Sequence, residues 1–179
     1  MNAKQLATLQ KNNEESRTFT RSCISFGLIA LLKKDNVDYK SITVSKVCEV
    51  AGVSRAAFYR NFQSVDEVLN DRFKEFALAL ASKIGTDIYN NWLHIFRTAD
   101  ENRLLLETAI KAGCEHEILK VFFSLLPKNE ESRTIQAVWL STIYSLIIKW
   151  IKEGHPRKIE DMAKLAYKYT KNIPLVEKV

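Results

Sequence analysis

Apolar residues recur at three-to-four spacing along almost all of this 179-residue chain, and only five Gly and three Pro interrupt the pattern. Side chains three and four apart share one face of a helix, so the spacing predicts an all-α fold. The 46% apolar and 27% charged content suits a packed core and excludes a disordered chain. Its length admits one or two domains.

From about Glu14 to Lys34, Phe19, Cys23, Phe26 and Ala30 align on one face with Ile24, Leu28 and Leu31 beside them, which predicts a first, core-packing helix. Thr43 can N-cap a short helix carrying Val44, Val47 and Cys48, and Ala51-Gly52 ends it. Ser54 caps the next helix, which runs to about Asn61. Ser64 to Glu67 has capping-box spacing and opens a longer helix with Val68, Leu69, Phe73, Phe76 and Leu80, ending near Gly85. Further helices are expected at about 87–98, 101–112, 115–126, 130–152 and 159–171, with Gly113, Pro127 and Gly154-His155-Pro156 as punctuation.

Residues 43–62, TVSKVCEVAGVSRAAFYRNF, have the spacing of a DNA-reading helix-turn-helix. At about 100° per residue, Ala57, Phe58 and Asn61 lean to one side of the second helix, and Arg55, Ala56, Tyr59 and Arg60 to the other. The second set suits a recognition face. Arg reaches guanine edges bidentately, a Tyr hydroxyl bonds phosphate, and Ala lets the helix come close to the groove. Thr43 and Ser54 add hydroxyls and helix N-terminal N–H groups for phosphate. Charge is distributed to match: residues 1–62 hold ten Lys and Arg against five Asp and Glu, a net +5, and the remainder seventeen against sixteen.

The run ITVSKVCEVAGVSRAAFYRNFQSVDEVL, residues 42–69, resembles the TetR family of bacterial regulators. The match includes Ile42-Thr43-Val44, Ala51-Gly52-Val53-Ser54, Phe58-Tyr59, Phe62 and Leu69, and with the preceding helix it covers about residues 14–70. The resemblance implies that Thr43 and Tyr59 meet phosphate and that Arg55, Ala56, Ala57, Arg60 and Asn61 lie where operator contacts are made. It also implies a domain order: a three-helix DNA-binding domain over 1–63, ordered from about 14, then a helical ligand-binding and dimerisation domain over 64–179. Val65 departs from the pattern, because many relatives carry Lys there, and one phosphate contact is lost with it.

The same resemblance implies that the last two long helices pair with those of a second chain. Trp139, Ile143, Leu146, Ile147 and Trp150 independently present more apolar surface than one helix of a small body needs to bury, and Leu165 and Tyr169 extend the stripe. The expected partners are a double-stranded operator, a second copy and a small-molecule effector, with repression as the sense of control. Trp92, Phe96, Phe122, Phe123 and Tyr144 are better read as core than as a pocket, so the ligand-binding residues stay unassigned.

No HExxH, GxSxG or phosphate-cradling Gly loop is present, so no enzyme, cofactor or metal site is expected. Cys114-Glu115-His116-Glu117 leaves a metal sensor as a minor alternative, and a helical protein-interaction module without DNA binding is the main one. Cys23, Cys48 and Cys114 form no CxxC and read as reduced structural thiols. The polar N-terminus has no signal-peptide pattern, which leads to the expectation of a cytoplasmic protein without membrane partners.

Overall fold

The computed structural model describes residues 3–174, with side chains over 11–174. Among the described residues it is all-helical: α1 (Ala3–Leu32), α2 (Val44–Ala51), α3 (Arg55–Tyr59), α4 (Val65–Ala81), α5 (Ile88–Glu101), α6 (Arg103–Lys111), α7 (His116–Ser124), α8 (Glu130–Lys152) and α9 (Ile159–Thr170), with a 3-10 turn at Tyr39–Ser41. The chain divides into two compact units, Met1–Asp71 and Arg72–Val179. The division falls inside α4, whereas the sequence placed a boundary just ahead of that helix.

In the first unit, α1 begins well before the expected Glu14. Its leading residues are Ala, Lys, Gln and Leu, strong helix formers without Gly or Pro. The buried stripe of α1 is Ile24, Leu28, Leu31 and Leu32. Phe19 and Phe26, expected to face the core, are each 72% exposed. The reason is Gly27, whose missing side chain lets α2 come close. A Cβ built there would lie 2.9 Å from Ala51 Cβ and 3.1 Å from the Val47 carbonyl oxygen. The smallest residue on α1 chooses the packing face, and the large rings are turned away from it.

The second unit packs an aromatic core. Trp92 and Phe96 stack at 5.8 Å, and Phe96 meets Trp150 edge-on at 5.4 Å. The buried Trp92 Nε1–H donates to Thr170 Oγ1 at 2.7 Å, which ties α5 to α9. Trp92, Phe96 and Phe122 are fully enclosed, as core residues should be. On α8, Ile143, Ile147, Ile148, Trp150 and Ile151 are buried within the chain. Ile143, Ile147 and Trp150, whose apolar surface was expected to exceed what one chain buries, pack in their own core. Leu146 and Leu165 are half-buried, while Val138 and Tyr169 are exposed. Asn129 caps α8 by accepting from Ser132 N–H at 3.0 Å, with Glu130 and Glu131 in its first turn and Lys149 and Lys152 in its last.

Candidate nucleic-acid interface

Two hydroxyl residues and a glycine set the local geometry of the helix-turn-helix. Thr43 Oγ1 accepts from Lys46 N–H at 3.3 Å and starts α2, and Ser54 Oγ accepts from Ala57 N–H at 3.1 Å and starts α3. Between them Gly52 ends α2 in the left-handed region, φ 65°, where a side chain would be strained. There Val53 N–H reaches back to the Cys48 carbonyl at 3.1 Å. The turn is therefore closed by backbone bonds, and the angle between the two helices is fixed locally.

Phe58 is the anchor of α3, fully buried, with its ring 5.6 Å from Tyr59 and 6.2 Å from Phe62, itself buried. Opposite it, Ser54, Arg55, Ala56, Tyr59 and Arg60 are exposed and Ala57 is half-buried at the edge, which are the faces expected from the helical angle. Thr43 is exposed as well. Asn61 stands apart from this group. Its side-chain Nδ2 donates back to the Ala57 carbonyl at 2.8 Å, and its Oδ1 is enclosed without a hydrogen-bond partner. The arrangement offers a short, smooth helical face with two guanidinium groups and a phenol, a shape and charge suited to a nucleic-acid groove.

Ser64 and Glu67 cap α4 reciprocally, as their spacing indicated: Glu67 N–H donates to Ser64 Oγ at 3.1 Å, and Gln63 N–H to Glu67 Oε2 at 2.5 Å. Asp66 accepts from the Tyr39 hydroxyl. Two carboxylates thus occupy the first turn of α4, beside Val65. This helix start already has its counter-charge, so it is a poor site for phosphate. The missing Lys and the capping-box Glu67 were legible at this start; the Tyr39–Asp66 contact was not.

Sequence reasoning also passed over Arg21 and Lys46. Arg21 Nη1 donates to the Asn61 carbonyl at 2.8 Å, and Lys46, exposed in the first turn of α2, donates to the Ser41 carbonyl at 3.3 Å. A single cation in a polar stretch has no spacing that marks it. Only the fold brings these residues to the motif.

Cys48 and Cys114 are buried and held toward the neutral thiol. Burial pushes the Cys48 thiol up, against the pull of the Arg55 cation. Burial and the carboxylate of Glu115 push Cys114 up to about 12. Glu115 is itself paired with Lys152 at 2.7 Å, and His116 Nε2 lies 2.9 Å from Glu117 Oε1. Among the described residues no group of three or more His, Cys, Asp and Glu side chains is gathered as a metal site.

A short helix anchored by a buried Phe and set behind a glycine turn, where the described residues are otherwise helical, is a helix-turn-helix arrangement. No protein-family model matches the chain, and no curated protein matches it. Solved structures share its fold. A TetR transcriptional regulator from Streptococcus agalactiae is 17% identical with a TM-score of 0.63, over 89% of this chain and 98% of that one. NalD, the secondary repressor of the MexAB-OprM multidrug efflux pump in Pseudomonas aeruginosa, is 16% identical with a TM-score of 0.58, over 88% and 96%. The dihydroxyacetone kinase operon activator DhaS is 20% identical with a TM-score of 0.56, over 86% and 96%. The chain thus has the all-α fold of TetR-family regulators.

Proposed function

We propose that the chain is a DNA-binding transcription regulator that acts as a homodimer on a near-palindromic operator and is released from it by a small ligand or a partner. The observation that carries this reading is the exposed row Arg55, Ala56, Tyr59 and Arg60, held out from the buried Phe58. Residues 1–63 form the DNA-binding domain and 64–179 the regulatory and dimerisation domain. Thr43, Ser54 and Tyr59 take phosphate, while Arg55, Ala56, Ala57 and Arg60 face base edges. Asn61 stays in the contact set by resemblance alone, because its amide is engaged with Ala57.

Support for the second copy comes from α8. By length and composition it is the one helix among the described residues able to cross a membrane, yet only 28% of its most apolar window is buried within the chain. Val138 is 46% exposed, and Thr134 and Ser145 share its side. Small side chains there allow a second α8 to approach closely, and the acidic first turn with its basic last turn suits antiparallel pairing. Repression is the sense of control we assign, as in the Pseudomonas aeruginosa neighbour, a repressor, whereas DhaS is an operon activator.

A mobility-shift assay on DNA from the gene's own upstream region tests the reading. A complex that outlasts excess random DNA is the expected result. Equal affinity for both, or none for either, would leave a helical interaction module instead. A promoter fusion in cells with and without the protein decides between repression and activation.

A further inference from the structure

We infer that Arg21, on α1, is a positioning residue that sets the orientation of α3. Its guanidinium is engaged inside the first unit. Nη1 donates to the Asn61 carbonyl at 2.8 Å, Nη2 pairs with Asp71 Oδ2 on α4 at 2.6 Å, and the group lies 4.1 Å from the centre of the Phe62 ring. Asn61 follows Arg60, the C-cap of α3, and its Nδ2 donates to the Ala57 carbonyl. A continuous chain of contacts therefore runs from α4 through Arg21 to the last turn of the recognition helix.

That helix needs such a clamp. Arg55–Tyr59 is five residues long, far below the length at which a helix holds itself in water. Ser54 fixes its start and Phe58 its underside, and Arg21 fixes its exit. Only a planar fork can bond a carbonyl and a carboxylate together while lying against a ring. The ion pair is about one-third exposed on both sides, so its Coulombic worth is small and its contribution is geometric. A recognition helix that tilts loses bidentate base contacts before it loses phosphate contacts, since the former tolerate less misalignment.

The inference rests on the DNA-binding reading, and the test separates the two. Arg21→Gln, Arg21→Lys and the double exchange Arg21→Asp with Asp71→Arg are compared with wild type in operator affinity, random-DNA affinity, thermal midpoint and amide exchange over residues 55–61. Arg21→Gln is expected to remain folded and lose about ten- to a hundredfold in operator affinity, while random-DNA affinity changes far less and exchange over 55–61 quickens. Arg21→Lys keeps the charge but not the fork, and carries the same comparison should the Gln protein fail to fold. The double exchange restores the ion pair but leaves the Asn61 carbonyl without its donor, so operator affinity stays low. Recovery of operator binding in the double exchange would overturn the inference, as would equal losses on operator and random DNA. If wild type shows no preference for any DNA, the functional reading fails, and amide exchange alone then decides for or against Arg21.

Discussion

Tyr59 and the arginines on either side of it share an exposed face but not a role. A phenol that bonds phosphate carries no sequence information, so Tyr59→Phe should weaken operator and random DNA by similar factors. An Arg that grips guanine behaves otherwise. Its replacement by Ala should cost about 1–3 kcal/mol on the operator and relax selectivity at one base pair per half-site. Arg60 is the better candidate, because Arg55 lies in the first turn of α3, where backbone contacts are common. Competition against operators varied one base at a time reads the difference, and equal losses on operator and random DNA for both Arg mutants would assign specificity to DNA shape. Gly27 makes a second residue-level case, in which two effects oppose. Ala in place of Gly favours a helix by about 1 kcal/mol. Against that, the new methyl would stand 2.9 Å from Ala51 Cβ and 3.0 Å from the Ala51 backbone nitrogen. Backbone cannot swing aside as a flexible side chain does, so the clash should win by about 1–2 kcal/mol. Gly27→Ala is expected to melt several degrees lower, and an unchanged or higher midpoint would show that α1 and α2 can separate cheaply.

Elements bounded by chemistry were legible in the sequence. Thr43, Ser54 and Ser64 mark the starts of α2, α3 and α4 because a short hydroxyl competes for exposed backbone N–H groups, and that competition is local. The end of α8 was legible from Gly154-His155-Pro156, whereas its Asn129 cap was passed over. What escaped was tertiary. The buried face of α1 depends on α2 meeting Gly27, and the role of Arg21 depends on Asn61 and Asp71, which are distant in sequence. The apolar stripe of α8 was legible as a stripe, but its division between own core and second copy was not, since hydrophobicity does not name a partner. The structure makes that division testable. Val138→Glu alters an exposed position and should give folded monomers that bind operator poorly. Ile147→Glu buries a charge in the chain's own core and should cost several kcal/mol of stability. Sedimentation and thermal melts of the two proteins distinguish them; a Val138→Glu protein that stays dimeric would place the contact elsewhere.

For the whole molecule, the proposed release from DNA is a statement about coupled binding, and it can be tested without knowing which residues hold the effector. The chain's charge is divided unevenly, +5 in its first 62 residues and close to neutral beyond, so the proposed phosphate contacts belong to the first part and leave the second for the proposed ligand. Two sites on one molecule communicate only through a difference in the free energies of its states. An effector that favours the state with lower operator affinity must pull the population away from DNA, and linkage requires the operator to weaken the effector by the same factor. A coupling of about 1–3 kcal/mol, or about five- to a hundred-and-fifty-fold, is the expected size. Operator affinity measured across a ligand screen identifies the effector. Calorimetric titration of that effector into free and operator-bound protein then measures the reverse coupling. Equal factors in the two directions establish release through a shared equilibrium. An effector that competes for the DNA surface itself would abolish operator binding without a plateau at saturation, and Arg55→Ala or Arg60→Ala would then weaken the effector as well as the operator.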